Sequence, residues 1–587
     1  MNALFLLAPL FAAIILIQII KENYSKYIAL IGALASLVLL YFVSQGTYAY
    51  NILSIGKYVL NFSINVIPLN IMLLGIILVI GPLVLLYSFG YMKILSQQKR
   101  FYTEIIAFEA AMLLFAVSYS FITLFIAWEF LSLTSYLLIG FWYNDLIVNR
   151  AGRKAITTVF IGDICILGAI AVVLSTTGTL QFNTVFAALQ NNLSIELIVA
   201  VLMGIAIFTK SAQFPFSEWL PDAMEGPTPV SAFLHSSTMV KAGVFTILLL
   251  LPIFTNSGFT VYIFYIAIIT VILATLNALK EKHIKKVIAY STVQELGLMA
   301  LAFSGGAIPA GIYLFFAQSF YKVLLFFSSG TVIEASNTVD MDKTSGLKTN
   351  KIIYITTLFG IFSLAGFIPF DGFFSNIGLS ASFYNNLIIY IFLNFIGLLT
   401  SLYSFRWLFL NSKKPTVNTE IRYKSMPKSM LVSMIISSIL ILLASVMFFY
   451  LLGYVLGGSY NFSLSTIKIT DAIIESVIAI IGAVISYYII KRLLKVKSHS
   501  IAILLNNGIL TNAVYSYITM FVYNISEAFS YFEEYLNGFF DSIGKGAVDI
   551  GKLVRRASVG NVNYYAIVLS AGIILIFILL FIIKVYS

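Results

Sequence analysis

Charge is what this sequence has least of. Of its 587 residues only 10% are Asp, Glu, Lys or Arg, and 60% are hydrophobic. A soluble domain carries roughly 25% charged residues, so too little polar surface remains to solvate a globule of this length. Cysteine is nearly absent as well. The single Cys165 excludes intrachain disulfides and cysteine-ligated clusters. The three histidines, His235, His283 and His499, lie far apart. No Cys/His/carboxylate group has metal-ligand spacing, and no Ser/His/Asp arrangement stands out. There is no glycine-rich dinucleotide fingerprint or phosphate loop. The chain is therefore expected to hold no cofactor of its own, and any redox chemistry belongs to a partner. No small-residue cleavage site follows residues 1–20, which read as a first membrane span rather than a removable leader.

What is present is a succession of apolar runs of about twenty residues, the length that crosses a hydrocarbon core. Sixteen spans are predicted, near 1–20, 27–44, 66–90, 103–118, 121–142, 154–175, 194–214, 228–252, 258–279, 284–304, 309–334, 352–370, 386–410, 428–452, 472–490 and 563–584. The net charge of +11 gathers in alternate loops, for example Arg150, Arg153 and Lys154, then Lys280, Lys282, Lys285 and Lys286, then Lys413, Lys414, Arg422, Lys424 and Lys428. The opposite loops hold little beyond Lys57 and Lys468. Basic residues favour the cytoplasmic side, which predicts a multi-pass protein of the cell membrane with its N-terminus outside. It also explains the positive charge without nucleic acid.

A few charges lie inside the spans, where each costs at least ~2.5–3.5 kcal/mol at the bilayer centre. They are Glu129 in span 5, Asp163 in span 6, Lys210 in span 7, His235 and Lys241 in span 8, Lys322 in span 11, and Asp371 at the end of span 12. Glu109 and Glu295 are further intramembrane carboxylates, with Glu295 read as a hydrogen-bond partner for helix ends. Glu129 and Lys210 are expected near mid-span, where they can pair. Such a pair is either a static buried ion pair or a protonation switch in which Lys210 releases its proton when Glu129 swings away. Asp163 can serve a neighbouring cation, and His235 can relay protons. The pattern is a polar file through an apolar bundle, suited to moving protons or another small cation rather than to making bonds.

Two further features shape the reading. Ala212-Gln213-Phe214-Pro215-Phe216 closes span 7 and Ala365-Gly366-Phe367-Ile368-Pro369-Phe370 closes span 12, so a proline interrupts two helices in similar surroundings. Paired broken helices of this kind mark internal repeats and their sites. Residues 508–556 are too polar to span. Their stripe of Tyr517, Phe521, Ile525, Phe529, Phe532, Tyr535 and Phe539 recurs every three or four residues. This is an amphipathic interfacial helix, either a surface anchor on the chain's own bundle or, with a length of roughly 70 Å in its favour, a strap across neighbouring subunits.

Three stretches, WEFLSLTSYLLIGFWY (128–143), KSAQFPFSEWLPDAMEGPTPVSAFLHSSTMVKAG (210–243) and IKKVIAYSTVQELGLM (284–299), resemble the antiporter-like membrane subunits of respiratory complex I. The histidine-containing form of the second is similar to the L subunit and to the A subunit of multisubunit sodium/proton antiporters. The amphipathic helix and one last span resemble the L-type ending. The resemblance implies an all-α membrane fold of two inverted antiporter-like bundles and a lateral helix. In domains, it implies spans 1–3 over 1–100, the first repeat over 101–252, the second over 253–410, spans 14–15 over 411–507, the lateral helix over 508–556 and the final span over 557–587. It also implies proton translocation driven by a partner quinone oxidoreductase, with adjacent antiporter-like subunits as partners reached through the lateral helix. The alternative is a cation/proton antiporter or membrane-bound hydrogenase subunit. By the same resemblance Glu129 and Lys210 match the family's Glu–Lys pair, Asp163 its span 6 aspartate, His235 its span 8 histidine and Lys322 its central lysine. Two spans depart from the pattern. Leu314 and Gln318 stand where span 11 histidines are usual, and Asn376 stands where a span 12 lysine is usual. Asp371 is then expected to replace that lysine as exit group, or else to cap the broken helix.

Overall fold

The computed structural model describes residues 2–56, 58–92, 97–455 and 469–495, and beyond them only positions 542, 545, 549 and 552. The chain divides into two compact units, 1–497 and 498–587. In the second, the four described positions are helical and Lys552 pairs with Asp549 at 3.0 Å. The expected lateral helix, those four positions apart, and the final span at 563–584 lie outside the described residues.

The first unit opens with helices α1 (Leu7–Ile19) and α2 (Ser25–Leu40), then a two-stranded antiparallel hairpin, β1 (Gly46–Ile55) and β2 (Tyr58–Val66). Helices α3 (Pro68–Tyr91), α4 (Gln98–Ala116), α5 (Phe121–Ile139) and α6 (Leu146–Thr177) follow, and then the short α7 (Phe182–Leu189). Sequence dictates their ends. Ser120 caps α5 through its hydroxyl, and the Asp145 carboxylate accepts the Ile147 and Val148 N–H groups at the start of α6. Next come α8 (Leu193–Lys210), the one-turn α9 (Trp219–Asp222), α10 (Thr228–Ser236), α11 (Met239–Leu249) and α12 (Leu251–Asn256). Helices α13 (Thr260–Lys280), α14 (Ile284–Ser304) and α15 (Ile308–Ser336) lead to α16 (Lys351–Leu364), α17 (Asp371–Ser382) and α18 (Leu387–Asn411). The short α19 (Val417–Lys424), α20 (Lys428–Val455) and α21 (Ile469–Lys495) complete it.

Twelve helical segments among the described residues are long and apolar enough to cross a membrane, and α1 and α16 are shorter apolar ones. Each of the fifteen predicted spans before residue 491 meets helix. Burial sorts them. The most apolar stretch of α15 is buried throughout, and α14 nearly so, which places them at the centre. Helix α21 instead exposes Ile473, Ile480 and Val484 and buries only a stripe through Asp471, Glu475, Ala479 and Ser486. An apolar exposed face suits lipid, where backbone groups are satisfied within the helix.

Loop contacts respect the alternation of the spans. The hairpin bridges to the α4–α5 loop, Ile64 to Ser118, and to the α6–α7 loop, Val59 to Thr179. At the other face His283 bridges Asp340, and Lys413 donates to the Asp342 carbonyl at 2.8 Å. The hairpin itself was not expected, since 45–65 reads as a plain connection between spans.

Candidate functional site

Three helices break inside the bundle. Helix α8 stops at Lys210, its last turn followed by Ala212 at φ +50° and a cis Phe214–Pro215 bond. Helix α16 stops at Leu364, followed by Gly366 at φ +76° and a cis Ile368–Pro369 bond. The two expected breaks are thus the same local structure, met twice. The third, between α10 and α11, was not expected, because no proline or glycine marks it. There Ser237 ends one helix and the Thr238 hydroxyl donates to the Phe233 carbonyl at 2.6 Å, replacing a backbone bond with a side-chain one.

The first break holds Lys210, which is fully buried. Its Nζ donates to the Ser132 hydroxyl at 2.7 Å and the Trp128 carbonyl at 3.2 Å, and lies 4.7 Å from the Trp128 ring centre. The Trp128 indole in turn donates to Asp163 at 2.7 Å. Gly162 permits this. A Cβ there would lie 2.9 Å from Ala206 Cα, so α6 can press Asp163 against the end of α8. Asp163 and Glu129 are the two carboxylates near Lys210. The expected direct Glu129–Lys210 pair is not formed. No ion pair within 4.0 Å joins them, because the lysine reaches for the α5 backbone and Ser132 while Glu129 is half-buried on that helix.

The file continues through α11 into α15. The Ser211 hydroxyl, next to Lys210, donates to the Val240 carbonyl, next to Lys241, at 2.6 Å. Lys241 lies just past the α10–α11 break. Its Nζ donates to the Phe315 carbonyl at 2.6 Å and to the Ser319 hydroxyl. Lys322, one turn along α15 from Ser319, donates to the Ser291 hydroxyl at 2.5 Å and forms an ion pair with Glu295 at 3.1 Å. Tyr321 donates to the other Glu295 oxygen at 3.1 Å. Glu295 is therefore the counter-ion of the central lysine, not a partner of helix ends. Two residues of α14 and α15, rather than one, make the central station.

Not every candidate joins the file. His235 is buried on α10, 6.1 Å from the Trp219 ring between centres, and neither ring nitrogen finds a partner. Gln318 and Glu109 are buried with side chains equally unbonded. Asp371 begins α17 rather than capping it. Its Oδ1 accepts the Gly372 N–H at 2.9 Å and the Ser363 hydroxyl, while Oδ2 is buried without a partner. The nearest titratable group to Asn376 is also different from the expected one. Asn376 donates at 2.7 Å to Glu475 of α21, a residue that sequence reading did not single out. Among the described residues no His, Cys, Asp and Glu gather as a metal site.

Comparison with known proteins follows the same lines. A family profile described as NADH:quinone oxidoreductase/Mrp antiporter, TM, matches residues 118–411, half of the chain, and one described as NADH-Ubiquinone oxidoreductase (complex I), chain 5 N-terminus, matches residues 52–102. The chain is 36% identical over 370 residues to NAD(P)H-quinone oxidoreductase subunit 5, chloroplastic, of Carpenteria californica, covering 58% of this chain and 50% of that protein. It is 35% identical over 402 residues to the subunit of the same name in Manihot esculenta, covering 64% and 54%. The chain thus spans about half the length of the curated relatives it matches. Among solved structures, a chain of the Mrp complex from Dietzia sp. DQ12-45-1b superposes with a TM-score of 0.72 at 20% identity, over 99% of this chain and 63% of that one. A chain of the membrane-bound sulfane sulfur reductase, an archaeal respiratory membrane complex, gives 0.65 at 20% identity, over 82% and 98%. At such identity the superpositions speak for the fold, an antiporter-like bundle of transmembrane helices. With half its length matched by the family profile, the chain belongs to the NADH:quinone oxidoreductase/Mrp antiporter family of membrane proteins.

Proposed function

We propose that this chain is a proton-translocating membrane-arm subunit of a complex I-like quinone oxidoreductase. The observation that carries the reading is the file of three buried lysines, Lys210, Lys241 and Lys322, each held by a hydroxyl, with carboxylates at its two ends. Buried cations of this kind are expensive in a membrane, and a scaffold has no use for a row of them.

In this reading the chain binds no cofactor, and a partner's redox reaction supplies the energy. A partner-driven shift of Glu129 changes the field at Lys210, whose proton then leaves by Ser132 or passes towards Lys241. Lys241 at Ser319 is followed one turn along α15 by Lys322 at Ser291, and the Lys322–Glu295 pair holds the proton before it leaves near the α16–α17 break, where Asp371 begins its helix. Each charge moved against the membrane potential costs ~2.3 kcal/mol per 100 mV, which the chain cannot supply alone. The reading places the protein in the cell membrane with its N-terminus outside and other membrane-arm subunits beside it.

Two measurements test it. Purification of the native complex should bring flavin and iron–sulfur subunits with it, and their identity names the electron donor. Sealed vesicles energised with that donor should then lose most proton translocation when Lys210→Ala is introduced, with the complex still assembled. Normal translocation in that variant refutes the reading. A complex without redox subunits that exchanges sodium for protons makes the chain an antiporter subunit instead.

A further inference from the structure

Four observations meet at Asn376, the position where the resemblance implies a span 12 lysine. The first is the hydrogen bond from the Asn376 amide to Glu475 Oε1 at 2.7 Å. It leaves Oε2 without a protein partner among the described residues, and no cation there forms an ion pair with this carboxylate. The second is a cavity of about 30 Å³ with Glu295 and Gln294 of α14 in its lining together with Asn376, Asn394, Thr400 and Glu475. That is room for on the order of two waters among polar partners, and it joins the central station to α21. The third is Gly366. A Cβ on it would run into Glu475 Oε1 and lie 2.7 Å from the Asn376 amide nitrogen, so the break between α16 and α17 is shaped around the carboxylate. The fourth is position along α21. Asp471, one turn closer to the helix start, is buried on the same stripe and accepts the Tyr390 hydroxyl at 3.3 Å.

A carboxylate in this place has a plain alternative, that it only satisfies the Asn376 amide. A neutral glutamine does that equally well without burying a charge, and it does not explain a cavity that leads to Glu295.

We infer that Glu475 is the outlet proton carrier of this chain. It takes a proton from the Lys322–Glu295 station through the cavity, becoming a neutral acid, and returns to carboxylate by passing that proton to Asp471 and the outer surface. Asn376 holds Oε1 in place while Oε2 is loaded and unloaded. The groups facing Glu475 are Asn376 from α17, Glu295 of α14 across the cavity, Asn394 and Thr400 from α18, and Asp471 on its own helix, tied to Tyr390 of α18. The inference rests on the translocation reading above and names a residue within it.

The test uses the whole complex in sealed vesicles. Glu475→Gln should cut proton translocation on the order of a hundredfold, the usual loss when a positioned proton carrier is removed. Glu475→Asp, or Asn376→Lys added to Glu475→Gln, should recover part of the rate, because each restores a proton carrier at the outlet. Recovery in neither assigns Glu475 a structural role and overturns the inference. Lys322→Ala in parallel separates the two levels. If it abolishes translocation while Glu475→Gln leaves it normal, the outlet assignment fails and the translocation reading stands. If both variants translocate normally, the translocation reading itself fails. Should Glu475→Gln not assemble, the unsubstituted complex decides. N,N′-dicyclohexylcarbodiimide adds to protonated buried carboxyl groups, and mass spectrometry should find the adduct on Glu475 with a matching loss of translocation. An unmodified Glu475 overturns the inference.

Discussion

At the level of single residues the chain holds its three buried file lysines by giving each a specific neighbour. Lys322 and Glu295 show this most directly, joined at 3.1 Å, with Ser291 accepting from the lysine and Tyr321 donating to the other carboxylate oxygen. Breaking such a buried pair from one side costs about 3–5 kcal/mol, whereas replacing both partners with apolar groups is often neutral. Glu295→Gln should therefore lower the thermal midpoint of the purified complex sharply. Lys322→Met combined with Glu295→Gln should regain much of that stability and none of the translocation. A double variant no more stable than Glu295→Gln alone would show that the two side chains are not coupled. The lysines were legible in sequence because a cation inside an apolar run is too costly to keep unless it has work to do there. Their partners were less so. Nothing in the spacing of α14 tells that Glu295 faces α15, and Glu475 lies 99 residues from Asn376 on a helix read only as a span.

Elements were legible to the extent that apolar length and proline reveal them. The helices that meet the fifteen predicted spans before residue 491, and the breaks after Lys210 and Leu364, follow from those two signals. The break between α10 and α11 does not, because Ser236, Ser237 and Thr238 end a helix by bonding hydroxyls back to carbonyls of the preceding turn, an option that composition alone leaves open. The hairpin was missed for a related reason. Its alternation lies between two spans whose signal is far stronger. The two proline breaks differ in what occupies the left-handed position, Ala212 in one and Gly366 in the other. An L-residue there costs roughly 1–2 kcal/mol. Gly366→Ala should destabilise the complex by at least that amount and slow translocation, since the new methyl also displaces Glu475. Ala212→Gly should leave the thermal midpoint unchanged or raise it. A Gly366→Ala complex as stable and active as the parent would show that the break tolerates a side chain against that carboxylate.

Over the whole molecule the basic loops and the buried centre agree on a single threading. The loops joined to the hairpin lie at one face, and those joined through His283–Asp340 and Lys413 lie at the other. In a Cys165→Ala background, Asn385→Cys in the α17–α18 loop and Lys414→Cys after α18 should label from opposite sides of sealed vesicles, the second from the cytoplasmic side. Labelling of both from one side would break the alternation. The sorting of loops into two faces was legible because alternate loops carry most of the Lys and Arg, and which face is cytoplasmic is the expectation that the labelling checks. The arrangement of α21 against α18 was not, because a lipid-facing helix shows little periodic contrast between its faces.

That helix has a consequence for descent. The family profile ends at residue 411, and α21 begins at Ile469, outside the segment that carries the two broken helices. With the outlet on α21, an amine on α17 can be exchanged for a carboxylate on a neighbouring helix by substitutions at two separate positions, leaving the broken helices of the matched core in place. Lineages that share this core are then free to differ in the chemistry of their last proton step, and a graft of α21 with residue 376 should transfer that difference from one to another.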